Sequence, residues 1–186
     1  MLLNVPRDWE AYYREFSGPP EPAFVVWAAA GLLPPGPVLD LAGGAGRNAF
    51  FLARRGHSVT LLEKSAEALF RVRRRALEEG LFVEALAADL EAFPPPLPAG
   101  PYVGVVLSYF VHRPLLEAAA TRLLPGGLFL VEGFTRREAV RRGRASSPHY
   151  WEPGELFTPP AGLSLVAAGE GERGGKHRAW AVWRKL

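Results

Sequence analysis

The chain has 186 residues, 48% of them hydrophobic and 22% charged, which fits one soluble domain with a real core. No apolar run approaches the roughly 20 residues of a membrane span, and with no cysteine there are no disulfides, thiolate nucleophiles or Cys-zinc sites. The positive charge is almost all arginine, and the net charge of +3 is modest, so its distribution says more than its sum. The first sixteen residues, MLLNVPRDWEAYYREF, are aromatic and acidic rather than signal-like, and the cytoplasm is the expected location.

In chain order, Asp8 to Phe16 reads as a short helix with Trp9, Tyr12, Tyr13 and Phe16 on one side, broken by SGPPEP. Ala23–Leu33 is a second apolar helix, stopped by PPGP. Strands and helices then alternate. Val38–Ala42 is a buried strand, Arg47–Arg55 a helix closed by Gly56, and Ser58–Glu63 a strand. Ser65 caps a helix that runs to Glu79 and ends at Gly80. Phe82–Ala88 is a strand, EAFPPPLPAG a loop, and Tyr102–Tyr109 a strand. Pro114 opens a helix to Leu124, and PGG turns into strand Leu128–Gly133. Strand-helix-strand units with short connections predict an α/β, Rossmann-like parallel sheet covered on both faces. The tail, LSLVAAGE and HRAWAVWRKL around GERGGK, predicts an antiparallel hairpin over 163–186.

The first strand carries Asp40 near its end and runs into Ala42-Gly43-Gly44-Ala45-Gly46-Arg47-Asn48. GAGRNA satisfies a loose dinucleotide pattern, and glycines before a helix suit close approach of a ligand to the backbone. No Lys-Ser or Lys-Thr follows, so a phosphate loop is not indicated. Asp40 lies where a pyrophosphate would sit. A carboxylate there repels a dianion and attracts a cation. S-adenosylmethionine carries an ammonium and a sulfonium at that point, and its own carboxylate can meet the helix N-terminus. Glu63 and Asp89 end the next two strands, placed for the ribose hydroxyls and the adenine amino group. A nicotinamide cofactor would leave Asp40 and Asp89 idle. Each acid also has a bland reading as a strand-end cap, as Asp89 does before LEAF.

This stretch resembles motif I of the class I S-adenosylmethionine-dependent methyltransferases, Asp-x-Gly-x-Gly-x-Gly, with Ala42 in place of the first glycine. Alanine fits there if its φ is negative. DWEAYYRE, GGAGRNAFFLARRGHSVTLLEKS, SYFVHRPLL, LLPGGLFLVEGF and PHYWEPGELF resemble, in order, the small tellurite-resistance-type methyltransferases over nearly the whole chain. The resemblance implies a single domain over 1–186 and a seven-stranded sheet of order 3-2-1-4-5-7-6 with the last strand antiparallel. It implies S-adenosyl-L-methionine as cofactor, S-adenosyl-L-homocysteine as product, and an N-terminal lid over 1–35 that brings Tyr13 to the cofactor. The cofactor positions so implied are Asp40, Ala42, Gly43, Gly44, Gly46, Arg47, Asn48, Glu63, Lys64, Asp89, Leu90 and Ser108. Val103-Gly104 departs from the family, whose fourth strand commonly begins with an acid.

SYFVHRP follows the fourth strand, where such enzymes place the acceptor. Tyr109 and His112 are candidates for the transfer site, with Arg113 beside them. Otherwise His112 and Arg113 are polar residues ahead of a helix. The Asn/Asp-Pro-Pro-Tyr/Phe signature of amine methylation is absent. Two basic stretches, RREAVRRGR and ERGGKHR, are expected on one rim with the crevice, because the sixth strand of such a sheet is parallel to the first five. Arg173, Lys176 and Arg178 then face an anionic acceptor, and His112 or His177 is the base if an oxygen or nitrogen acceptor needs one. A charge run is more often a solvated face. The expected partner is a small molecule, a thiol or metalloid oxyanion, with no membrane and no metal. An RNA methyltransferase or a non-catalytic cofactor binder is the alternative, and nucleic acid is permitted but not favoured.

Overall fold

The computed structural model describes residues 8–15 and 21–186. Phe16 and the first four residues of SGPPEP lie outside them. The described chain gives helices α1 (Trp9–Glu15) and α2 (Phe24–Ala29), the latter continued by a 3-10 turn (Ala30–Leu32). Then come β1 (Val38–Leu41), α3 (Arg47–Ala53), β2 (Val59–Glu63), α4 (Ala66–Glu79) and β3 (Val83–Ala87). After the proline-rich loop follow β4 (Tyr102–Ser108), α5 (Pro114–Ala120), β5 (Leu123–Phe134), α6 (Arg136–Arg141), a 3-10 turn (Glu155–Phe157), β6 (Leu163–Arg173) and β7 (Lys176–Lys185). Among the described residues no helix is long and apolar enough to cross a membrane.

The seven strands lie in the order β3-β2-β1-β4-β5-β7-β6, as expected. β1 to β5 pair in parallel, while β7 pairs antiparallel with both β5 and β6. β6 therefore runs with the first five strands, and the β6–β7 turn emerges at their C-terminal ends. Gly174 and Gly175 make that turn with φ of 56° and 69°, the left-handed pair a two-residue hairpin favours.

Alternation along the strands sorts the core into two faces. Leu39, Leu41, Val105, Leu107, Phe129 and Val131 pack with α5, Trp151 and Trp183. Val38, Leu61, Val106, Leu128 and Leu130 pack with α2, α3 and α4. The same period of two puts Asp40, Glu63, Ser108 and Glu132 on that second face at the C-terminal edge, where the apolar run of each strand stops.

Two elements differ from expectation. α5 ends at Ala120 rather than Leu124, and β5 starts at Leu123, because Tyr102 N–H takes the Arg122 carbonyl at 2.8 Å and draws the chain into the sheet early. PGG is then an irregularity inside β5, its register passing from Tyr102↔Leu123 to Gly104↔Leu128. Gly104, where an acid is common, leaves room for Leu33. A Cβ there would lie 2.6 Å from the Leu33 Cδ2.

Candidate active site

The loop after β1 is shaped by steric limits on its glycines. A Cβ on Gly43 would stand 2.6 Å from Leu61 Cδ1 and 3.0 Å from Asp40 Oδ2, and one on Gly46 would stand 2.9 Å from Phe50. Gly46, at φ 81°, is the N-cap of α3. Ala42 overturns its expectation. Its φ is +52°, not negative, because the chain must turn back so that Gly43 N–H reaches the Leu62 carbonyl at 3.0 Å. An L-residue there is strained by roughly 1–2 kcal/mol. Ala42→Gly is expected to stabilise the protein by up to about 1 kcal/mol, the glycine's extra unfolded-state entropy offsetting part of the relief. A shift in denaturant midpoint would show it, with cofactor affinity kept.

Asp40 is fully buried, and neither carboxylate oxygen has a hydrogen-bond partner. Burial pushes its carboxyl up to about 7, against the pull of the Arg47 guanidinium and of the Asn48 amide and Ala49 N–H, which lie near it without completing a well-formed hydrogen bond. An orphaned acid facing a glycine loop fits a cationic group, here the ammonium and sulfonium of S-adenosylmethionine. Glu63 is also buried. Its Oε2 accepts Gly44 N–H at 3.0 Å, and its Oε1 accepts the N–H groups of Lys64 and Ser65 at 2.9 and 3.0 Å. This ties the glycine loop to the start of α4.

α1 lies over this loop. A Cβ on Gly44 would fall 2.2 Å from the Tyr13 hydroxyl, and burial followed by the Glu63 charge pushes that hydroxyl's pKa upward. Trp9 stacks on Tyr13 with centroids 6.0 Å apart. Glu10 accepts the N–H groups of Ala66 and Glu67 at 2.6 and 2.9 Å, and Arg71 donates to the Arg14 carbonyl at 2.8 Å. With Ser65 Oγ accepting Ala68 N–H, the first turn of α4 is fully capped.

Asn48 and Ser108 are committed to each other and to α2. Asn48 Nδ2 donates to Ser108 Oγ at 2.8 Å, and its Oδ1 accepts Ala23 N–H at 2.9 Å. The Arg47 guanidinium lies 4.8 Å from the Tyr109 ring centroid. Asp89 is exposed and makes the local turn of its bland reading, its Oδ1 accepting Glu91 N–H at 3.0 Å. Leu90 beside it is buried, and Lys64 pairs with Glu91 on the surface at 3.3 Å.

Around the acceptor end the residues divide. Arg178 is brought to the crevice, 5.9 Å from the Tyr109 ring and 5.6 Å from Phe134; its Nη1 donates to the Arg173 carbonyl, while its Nε is buried and unpartnered. Arg173 stacks over Phe24 at 3.3 Å, and Lys176 lies 6.0 Å from Phe134. Arg173 and Arg178 meet at a cavity of about 170 Å³ that Phe24, Trp180 and the carboxylates Glu132, Glu170 and Glu172 also line. A larger cavity, about 310 Å³, lies by Pro35 and His57 at the opposite end of the sheet and touches none of this chemistry. Arg113 is not turned to the crevice. It clamps Glu155 through Nε and an Nη at 2.7 and 2.8 Å and donates to the carbonyls of Pro148 and Tyr150, so it orders the loop before β6. His177 is buried, its Nδ1 2.7 Å from Thr135 Oγ1, a sheet-to-α6 contact rather than an open base. His112 is half-buried beside Phe110, its carbonyl accepting Leu115 N–H.

The first basic run is largely neutralised: Arg136 pairs with Glu152, Arg141 with Glu172 and Arg142 with Glu138. Glu132, buried at the end of β5, belongs to the site although the motif reading passes over it. The signal that selects Glu63, an acid closing a Leu/Val strand, is equally present in LFLVEGF.

Residues 38–127 match the methyltransferase domain family. No curated protein matches the chain by sequence. Among solved structures it is similar to TehB from Haemophilus influenzae (19% identity, TM-score 0.73, 96% of this chain and 68% of that one). It is also similar to the CcbJ methyltransferase from Streptomyces caelestis (19%, 0.71, 95% and 96%). A third is the structure described for conversion of a disulfide bond into a thioacetal group during echinomycin biosynthesis (21%, 0.70, 95% and 90%). At these identities the likeness is one of fold.

Proposed function

We propose that the protein, whose residues 38–127 match the methyltransferase domain family, is a class I methyltransferase that uses S-adenosylmethionine and methylates a small acceptor that is anionic or soft, a thiol or a metalloid oxyanion. The observation that carries this is Arg178, whose buried Nε lacks a partner beside a cavity of only about 170 Å³. A guanidinium so placed favours a compact negative group. The tellurite-resistance-type resemblance supports a metalloid oxyanion. The likeness to a protein of disulfide-to-thioacetal conversion supports sulfur.

The cofactor residues of this reading are Asp40 for the cationic part, the Gly43–Gly46 loop for close backbone approach, Glu63 for the ribose, and Tyr13 with α1 as the lid. Bound there, the cofactor supplies a methyl group already activated by sulfonium. The chain's own part is to aim the acceptor lone pair and exclude water. The paired state of Arg136, Arg141 and Arg142 speaks against an RNA backbone as partner.

Calorimetric titration with S-adenosylhomocysteine, followed by methyl transfer from S-adenosylmethionine to selenite and to 2-mercaptoethanol, tests the reading. Arg178→Ala is expected to raise the KM for selenite by about tenfold with kcat little changed. Homocysteine-product binding with no transfer to either probe would favour a cofactor-binding protein. Affinity for RNA that falls steeply with salt would favour the nucleic-acid alternative.

A further inference from the structure

Glu132 is 2% exposed, and its side chain has two partners, one backbone N–H and one phenol. Its Oε2 accepts Val25 N–H at 2.9 Å, and its Oε1 accepts the Tyr109 hydroxyl in a short hydrogen bond. A buried carboxylate costs several kcal/mol unless its oxygens are well satisfied. A glutamine would offer one acceptor oxygen where two donors converge, so the acid is matched to Val25 N–H and Tyr109 together, and it holds a phenol in proton-transfer contact. Tyr109 adds a second, independent sign. Among the described residues it and Ala42 are the two non-glycine residues with positive φ, Tyr109 at 60°. Such backbone strain persists where the surroundings impose it, and it clusters at functional sites. Here Glu132 imposes it twice, since its carbonyl also accepts Tyr109 N–H at 2.7 Å. The Tyr109 ring adjoins Arg47 and Arg178, at 4.8 and 5.9 Å, and Arg178 and Glu132 in turn line the neighbouring cavity.

We propose that Tyr109 and Glu132 form a proton relay for acceptors that arrive protonated. The hydrogen on the acceptor heteroatom passes to Tyr109 Oη as the phenol's own proton passes to Glu132 Oε1. The acceptor keeps the electron pair of the broken bond for the incoming carbon, Tyr109 ends as a phenol, and Glu132 ends as a neutral acid. Tyr109 touches the acceptor, and Glu132 acts through it as a positioning residue and proton sink. The inference rests on the small-acceptor reading of the cavity and applies to thiols rather than to a fully ionised oxyanion.

The groups facing the pair are Arg47 from α3, Arg178 from β7, and Glu170, Glu172 and Arg173 from β6, while α2 brings only the Val25 N–H. Burial, then the charge of Glu132, drives the Tyr109 phenol upward, which keeps it protonated at neutral pH and able to relay.

Two measurements on the full chain test this. Titration of tyrosinate absorbance needs no acceptor. The wild type is expected to hold late-titrating tyrosines that include Tyr13 and Tyr109; Tyr109→Phe removes one of them, and Glu132→Gln shifts that same one down toward the ordinary range near 10 while the Tyr13 signal stays. An unchanged titration in Glu132→Gln overturns the coupling. Methyl transfer to 2-mercaptoethanol is then followed against pH. Glu132→Gln is expected to lose at least tenfold near about pH 6.5 and little near about pH 9.5, where the thiol ionises unaided. A loss equal at both pH values makes Glu132 merely structural and overturns the relay alone. If the wild type methylates no thiol while binding S-adenosylhomocysteine normally, the acceptor reading fails and the relay falls with it.

Discussion

Asp40→Asn is expected to weaken S-adenosylhomocysteine binding by about ten- to a hundredfold, the range of a charge-assisted hydrogen bond to a buried ammonium, and to make the free protein more stable. Both effects come from one fact: the carboxylate is fully buried with no partner of its own. Its folded-state carboxyl titrates at about 7, above the ordinary value of 3.8 that holds when the chain unfolds. Between those values the folded state binds the extra proton. Stability is therefore greatest below about pH 4 as far as this group is concerned, and falls as pH rises to 7, by at most roughly 4 kcal/mol. The asparagine variant lacks that slope. Denaturation of both proteins near pH 5 and near pH 8 should show the variant's advantage growing with pH. Saturating cofactor should flatten the wild-type slope by giving the carboxylate a cation. Unaltered affinity in the variant would remove Asp40 from the site.

The second large effect is expected at Glu10. Its carboxylate spans the Ala66 and Glu67 N–H groups and pins α1 across the glycine loop, where Tyr13 covers Gly44. With Tyr13 in that position, exchange of a cofactor at the loop requires α1 to lift. Glu10→Ala should raise the dissociation rate of S-adenosylhomocysteine by about tenfold, the effect of losing one to two net hydrogen bonds, and should remove hydrogen-exchange protection from 9–15 while β1 and β4 keep theirs. Tyr13→Ala should do the same without uncapping α4, which separates loss of the cover from loss of the cap. The Glu67 N–H holds the Glu10 carboxyl below its ordinary value, so the latch is intact at neutral pH and weakens only as pH falls through the acid range. Unchanged dissociation in both variants would mean that α1 does not gate the loop.

Much of the fold was legible because its signals are local. Periodicity, Ser65 before α4, Gly80 after it and Pro114 opening α5 each report on a few neighbouring residues. The sheet order followed from strand-helix alternation and a terminal hairpin, together with the family resemblance. Local signals fail where a distant partner decides. α5 is cut short by a hydrogen bond from Tyr102, and β5 absorbs PGG because the glycines let it bulge. Ala42 is held at positive φ by a carbonyl on a neighbouring strand.

The candidate site divides in the same way. Asp40, Glu63 and the glycines stand out in sequence because an acid or a run of glycines at a strand end has few local reasons to be there. Arg113, Arg178 and His177 look alike in sequence, as cations near the same rim. Only tertiary packing separates them: Arg113 is drawn into a clamp with Glu155, His177 into a contact with Thr135, and Arg178 is left with an unpartnered nitrogen beside the cavity. Sequence by itself thus determined the strands, the glycine loop and the two acids Asp40 and Glu63 beside it, since strand periodicity and steric demand on glycine are properties of short stretches. Which charges are neutralised, which residues are strained and which helix covers the loop were decided by contacts between residues far apart in the chain, because a charge's role depends on what lies within a few ångströms of it in space.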